Sequence, residues 1–282
     1  MNDITWIVET NVFFGDYDQE LKIVDTIKKL GIKVIPVGWQ MIYNEDQIPF
    51  QTGPCVFLGS LQLAKKLRSR IDLCESIWCD LKQFDCIKYY PHLREHLLNQ
   101  DYVILPFGVL PHKKDLLYNA LGESNALFIR PCRGDKIFGG KLVYKEHFDK
   151  DVEYFGFYDD DPENLVLIAR PQNIVNEWRF FVVGKKVITG SQYYDHRELS
   201  YTRVIESDPI FSLAQKYAEI WQPEEMFTID LCETKDGQIK ILEIGAFSCS
   251  GQYDCDIEKI VLSATEFVNA HAYLVQGNMS YP

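Results

Sequence analysis

The stretch from Phe227 to Gly245 constrains this chain more than any other, because two strand-forming runs flank a turn dipeptide. Met-Phe-Thr-Ile-Asp-Leu-Cys and Gln-Ile-Lys-Ile-Leu-Glu-Ile stand on either side of Asp236-Gly237, and Asp-Gly between such runs is a strong signal for a two-residue hairpin turn. A turn of that length fixes the register. Pairing Lys235 with Gln238 and counting outward sets Glu233 against Lys240 and Asp230 directly against Glu243. Like charges facing across a sheet, with Cβ atoms about 5 Å apart, repel. A shared proton that raises one pKa would offset this, and a hard divalent cation held by oxygen ligands is the more productive solution. The expectation is a Mg²⁺ site at Asp230 and Glu243. The alternative is a solvated hairpin end, and a longer loop would shift the register and remove the argument.

The chain is 282 residues long, enough to bury a large core in more than one domain or lobe. Its 46% hydrophobic and 25% charged residues are those of an ordinary globular protein. The net charge of -12 argues against nonspecific nucleic-acid binding, since phosphates are repelled by the average surface. The first residues lack a basic segment followed by a long apolar one, and no apolar run reaches membrane-spanning length. A cytoplasmic protein without membrane association is expected. Eight cysteines form no C-x-x-C pair, which suggests packed thiols and not a disulfide framework or zinc site.

The first third alternates strand and helix: Ile4 to Val8, a helix near Asp18 to Leu30 stopped by Gly31, Lys33 to Val37, Cys55 to Gly59, then Leu61 to Arg70. This rhythm predicts a small parallel-sheet lobe with helices on its faces. A helix beginning near Pro91, a strand Val103 to Phe107, a helix from Lys113 to Leu121 and a strand Ala126 to Arg130 follow. The remainder reads as paired strands of an α+β lobe. The acidic run Tyr158 to Glu163 reads as a solvated turn between strands.

Arg130 ends an apolar strand, and Cys132 to Lys141 follows as a basic, glycine-rich loop containing Lys136, Gly139 and Gly140. Glycines let backbone approach a phosphate, and the cations supply charge. It is not a Walker loop, because no Ser or Thr follows the lysine. A plain strand and surface turn is the other reading. Glu177 to Val183 and Lys186 to Ser191 flank Gly184-Lys185, so a two-residue turn sets Arg179 against Gly190, with Glu177 on the same face and room for a ligand over the glycine. An edge-strand ion pair is the bland alternative. His92-Leu93-Arg94-Glu95-His96 matches an inverse zinc-protease pattern, but five residues match often by chance and no third ligand is evident.

In order, Phe128-Ile129-Arg130-Pro131, Lys136-Ile137-Phe138-Gly139-Gly140, Glu177-Trp178-Arg179-Phe180-Phe181-Val182, Asp230 and Leu242-Glu243-Ile244 resemble the ATP-grasp superfamily. Arg130, Lys136 and Arg179 narrow the resemblance to a clade of bacteria and viruses with mostly unassigned substrates. It covers about residues 100 to 265. The fold it implies is α/β plus α+β: a small parallel-sheet domain at 1–90, then a two-lobed ATP-grasp domain with antiparallel sheets at 91–282. It also implies ATP between the two lobes, with Mg²⁺ at the triphosphate. By this analogy Arg130 and Lys136 contact phosphates, Gly139 and Gly140 let a flap close, and backbone near Ile168 and Ala169 meets adenine. Glu177 lies near the nucleotide, Arg179 stabilises phosphate or acyl-phosphate, and Asp230 and Glu243 hold metal. The family usually has asparagine two residues after that glutamate, where this chain has Gly245. Gly245 has no side-chain oxygen to offer a second metal.

The implied reaction is ATP-dependent ligation, in which a carboxylate takes the γ-phosphoryl group and the acyl-phosphate is captured by an amine. The partners are then small-molecule or peptide carboxylates and amines. Phe247 to Tyr253, after the metal strand, is a candidate wall of the acceptor pocket, or ordinary loop packing. An ATP-grasp kinase is the nearest alternative, and a nucleotide-binding regulatory protein with degraded catalysis is the alternative from another class.

Overall fold

The computed structural model describes residues 4–10, 17–73, 76–135, 137–158, 161–196 and 198–278. Two compact units divide the chain. One comprises residues up to Asp80, Asn176–Asp230 and the residues from Ile244 onward, and the other Leu81–Val175 and Leu231–Glu243.

In the first unit, β1 (Thr5–Thr10) lies between β2 (Lys33–Gly38) and β3 (Cys55–Leu58) in a parallel three-stranded sheet. The first five residues of β1 are all buried, as a parallel strand covered on both faces requires. Helix α1 (Tyr17–Lys29) turns Ile23, Val24 and Ile27 inward at helical spacing. Gly31 ends it as the sequence predicts: its φ is +70°, and the Gly31 and Ile32 N–H groups donate back to Lys28 and Ile27 carbonyls at 3.0 and 3.1 Å. The short α2 (Leu61–Leu67) starts on Ser60, whose side chain accepts from the Leu63 N–H. The same core takes in α7 (Ile257–Asn278) through Ile260, Val261, Ala264 and Val268, and Trp6 Nε1 donates to Thr265 Oγ1 at 3.0 Å. This long terminal helix is not in the strand-dominated reading of the remainder.

The second unit carries α3 (Cys86–Leu93), β4 (Tyr102–Pro106), α4 (Leu110–Leu121), β5 (Ala126–Pro131), β6 (Lys141–Tyr144), α5 (Phe148–Tyr158) and β7 (Leu165–Ala169). Its antiparallel sheet has the order β4-β7-β5-β6, over a core of Leu110, Leu127, Ile129, Phe148, Phe155 and neighbours. Three local expectations change here. Pro91 does not open a helix but sits inside α3, because Tyr89 and Tyr90 are buried and hold the helix around it. Arg94, at φ +36°, then ends α3, so His92 and His96 share no helix face. The acidic run follows α5 and not a strand: Asp161 turns the chain by accepting from Asn164 N–H at 3.1 Å and Glu163 N–H at 3.0 Å, while Asp159 and Asp160 lie outside the described residues.

The remaining strands are β8 (Ile174–Val183), β9 (Lys186–Asp195), β10 (Glu198–Val204), β11 (Met226–Thr234) and β12 (Ile239–Ala246), in the sheet order β10-β9-β8-β11-β12, with α6 (Pro209–Ile220) before β11. The parallel sheet and antiparallel sheets expected from the sequence are all present. Their turns decide the register. Gly184 and Lys185, at φ +54° and +74°, form the expected two-residue turn. A bulge then intervenes between Phe181 and Val182, and Arg179 faces Ser191 in place of the expected Gly190. Gly190 faces Phe180, whose ring fills the space above it, so no ligand cavity opens over that glycine.

The β11–β12 turn departs further from expectation. Thr234 N–H donates to the Gln238 carbonyl at 2.9 Å and Gly237 N–H to the Thr234 carbonyl at 2.8 Å, with Gly237 at φ +79°. The loop therefore holds three residues and ends in a left-handed glycine, the three-residue hairpin geometry. Thr234 pairs with Gln238, and Lys240 lies by Cys232, whose Sγ is 3.7 Å from the Lys240 carbonyl. The Glu233/Lys240 match is not formed, and the count that set Asp230 directly against Glu243 loses its basis.

Candidate functional site

The first unit builds a buried ionic cluster around Arg179 of β8 and Asp230 of β11. Arg179 Nε donates to Asp230 Oδ1 at 2.8 Å and Arg179 Nη2 to Asp230 Oδ2 at 2.7 Å, a two-pronged pair with side chains 12% and 3% exposed. Such planar, charge-assisted pairs are the strong class of hydrogen bond. The third guanidinium nitrogen donates to the Gly251 carbonyl at 3.3 Å. Aromatic rings complete the cluster. The guanidinium carbon lies 5.0 Å from the centroid of Tyr253 and 5.7 Å from that of Tyr193, and Tyr253 is stacked between Tyr193 at 4.6 Å and Tyr201 at 5.4 Å. Burial alone would lower the Arg179 pKa, but the Asp230 carboxylate outweighs it and the net shift is upward. Burial, and then the charges of Asp230 and Glu177, raise the Tyr193 phenol, which hydrogen-bonds Glu177 and lies 3.5 Å from Asp230 Oδ2. Glu177 thus joins the network through the Tyr193 phenol.

The segment after Gly245 reaches this cluster at Gly251, and Gly245 itself packs beside Thr228, two residues before Asp230. A Cβ on Gly245 would stand 2.6 Å from Thr228 Oγ1 and 3.3 Å from Ser250 Oγ, and these two hydroxyls hydrogen-bond each other at 2.9 Å. Gly245 is not among the positive-φ glycines. Close approach, and not backbone freedom, is what glycine serves here, and the space a side chain would need is held by two hydroxyls.

In the second unit Arg130, at the end of β5, lies 3.7 Å from Glu243 Oε2, with side chains 12% and 18% exposed. Burial works to lower the Arg130 pKa, yet Tyr89, Cys86 and Glu243 around it leave the net shift upward. The Cys86 thiol is lowered, first by a hydrogen bond from Cys132 and also by the Arg130 charge. The glycine loop is anchored at its base by Asp85, which accepts from the Gly134 N–H at 2.7 Å. Gly140 is tight against Phe128, where a Cβ would stand 2.6 Å from the ring, whereas a Cβ on Gly139 would meet nothing. Both glycines line a cavity of about 880 Å³ with Phe138, Leu142, Tyr154 and Phe155. Lys136 lies outside the described residues. Ile168 and Ala169 are fully buried on β7 and flanked on either side by β4 and β5.

Each candidate metal acid therefore stands beside its own arginine: Asp230 by Arg179, and Glu243 by Arg130. As hard oxygen donors they fit Mg²⁺ in kind. Both Asp230 oxygens are taken by Arg179, so a metal at Asp230 competes with that pair. Among the described residues no group of three or more His, Cys, Asp or Glu side chains is gathered as a metal site. The sequence reading missed Tyr193, Tyr201, Thr228 and the thiol near Arg130. Thr228, Ser250 and Tyr253 lay in segments it had singled out, without a role for these side chains.

This chain belongs to family 3 of the R-2-K clade of ATP-grasp domains, whose family model matches residues 108–264, more than half of its length. A search of curated proteins found no match. Solved structures share the fold over nearly the whole chain. A D-cycloserine synthetase is 13% identical with a TM-score of 0.61, covering 96% of this chain and 99% of its own. The D-alanyl-alanine synthetase A of Vibrio cholerae is 15% identical with a TM-score of 0.63, at 95% and 99% coverage. The D-alanine–D-alanine ligase of Bacillus anthracis complexed with ATP is 14% identical with a TM-score of 0.59, at 96% and 99% coverage. At such identities the likeness is one of fold. Among the described residues no helix is long and apolar enough to cross a membrane.

Proposed function

We propose that this protein is an ATP- and Mg²⁺-dependent ligase that joins a carboxylate to an amine through an acyl-phosphate. The observation that carries this reading is family membership combined with overlay of 95% or more of the chain on ligases and synthetases along 99% of their own lengths. A chain that retains the whole ligase fold, and not only its nucleotide-binding part, has the material for both substrates. Residues 1–90 are then the small domain preceding the grasp and 91–282 the ATP-grasp domain.

In this reading Arg130 and Lys136 hold phosphates, Gly139 and Gly140 permit the loop to cover them, and backbone at Ile168 and Ala169 meets the base. Asp230 and Glu243 would hold Mg²⁺, which supplies charge neutralisation at the triphosphate. Arg179, its charge secured by the Asp230 carboxylate against the effect of burial, would stabilise negative charge on a transferring phosphoryl group, with Glu177 and Tyr193 orienting it. The rest of catalysis is positioning of the carboxylate and amine. The substrates are small-molecule or peptide acids and amines in the cytoplasm.

The fixed Arg179–Asp230 pair and the blocked position at Gly245 favour one competing reading, a nucleotide-binding regulatory protein without turnover. The test is ADP release across a panel of carboxylates and amines with mass spectrometry of the products. The ligase reading expects ADP release that needs both a carboxylate and an amine, with a product at the condensed mass. Nucleotide binding without turnover over the whole panel would refute it in favour of the regulatory reading.

A further inference from the structure

Two thiols in the first unit, Cys79 and Cys249, stand with their sulfurs 3.6 Å apart although 170 residues separate them in sequence. Backbone contacts one residue earlier hold them there. Trp78 N–H donates to Ser248 Oγ at 3.1 Å, Ser248 N–H donates to the Trp78 carbonyl at 3.2 Å, and Gly59 N–H donates to the Ser248 carbonyl at 2.9 Å. With residues 78 and 248 fastened together, residues 79 and 249 are presented to each other by the chain. A disulfide has an S–S length near 2.04 Å, so about 1.6 Å of approach separates the pair from a covalent bond. Cys79 is buried and Cys249 is half-buried. The Cys249 thiol is pushed up, first by its hydrogen bond with Cys79 and then by burial.

Cys249 also begins the stretch that reaches the ionic cluster. The next residue, Ser250, bonds Thr228, and Gly251 receives Arg179 through its carbonyl. We propose that Cys79 and Cys249 are a peroxide-oxidisable dithiol whose disulfide pins residues 247–251 beside Arg179. Cys249 must first lose the proton that its hydrogen bond with Cys79 and its burial favour; its sulfur then attacks one peroxide oxygen, and the hydroxide released takes up that proton and leaves as water. Its sulfenic acid is then attacked by the Cys79 sulfur, which loses its proton, and a second water leaves. Two thiols are oxidised, one hydrogen peroxide is reduced, and one S–S bond forms.

The test treats the full chain with hydrogen peroxide and maps cysteines by mass spectrometry, with hydrogen exchange on the reduced and oxidised forms. Expected are a Cys79–Cys249 crosslink two mass units lighter than the thiols, its reversal by dithiothreitol, and at least about ten-fold slower exchange of the amides at 247–251. In Cys249→Ser and in Cys79→Ala, both retaining the wild-type melting profile, peroxide should leave that exchange unchanged. Oxidation of Cys249 to sulfinic acid with Cys79 left free, a crosslink elsewhere, or a Cys79–Cys249 crosslink without slowed exchange would each overturn the proposal.

Discussion

Breaking the Arg179–Asp230 pair one side at a time should cost far more than removing it whole. Both side chains are nearly withdrawn from water, at 12% and 3% exposure, and two hydrogen bonds of 2.7 and 2.8 Å join them. Asp230→Leu leaves the Arg179 guanidinium buried without its counter-charge, and Arg179→Met leaves the Asp230 carboxylate in the same position. Stranding one member of a buried pair costs about 3–5 kcal/mol, whereas replacing both by apolar groups is often nearly neutral. Each single substitution should therefore lower the melting temperature by roughly 6–20 °C for a chain of this size. The double variant should be no less stable than either single one, which makes the coupling at least about 3 kcal/mol. Urea denaturation of the four proteins, followed by tryptophan fluorescence, measures it. A double variant whose loss equals the sum of the two single losses would show that the groups do not depend on each other, and would refute the reasoning.

Glu224 gives a pH prediction. Burial, partly opposed by the Asp80 N–H and Arg68, raises its pKa from 4.5 to about 7. The fold thus favours the protonated acid, so its contribution is full below pH 4.5 and is lost as pH rises through about 7, a difference of about 3 kcal/mol. Glu224→Gln should remove that loss, so its stability relative to the parent should rise from pH 5 to pH 8; a constant difference between the two proteins across that range would reject the assignment. At Gly245, substitution by Asn should destabilise by about 1–3 kcal/mol through overpacking, because its Cβ meets Thr228 Oγ1 at 2.6 Å. Adding Thr228→Ala removes that oxygen and should recover most of the loss in thermal melts; no recovery would mean that Ser250 or the backbone sets the limit.

Local chemistry made much of this fold legible. Apolar runs of strand length separated by amphipathic helices mark the parallel lobe, and Gly31 and Gly184 stop or turn the chain where they stand because left-handed backbone favours glycine. Arg130, Arg179, Asp230 and Glu243 stood out in the sequence as charges on otherwise apolar strands, and the structure buries their side chains. What those charges bind was not legible, because it rests on distances between segments far apart in the chain. A single extra residue in the 235–237 loop and one bulge after Phe181 change which residues oppose each other, since side-chain direction on a strand alternates with every residue. Tertiary structure alone decided that Arg179 takes both oxygens of Asp230, that Tyr253 slides between two other rings, and that two hydroxyls occupy the space beside Gly245. Each of these is a contact made by packing after the strands have formed, and a sequence pattern with a period of two or 3.6 residues carries no record of it.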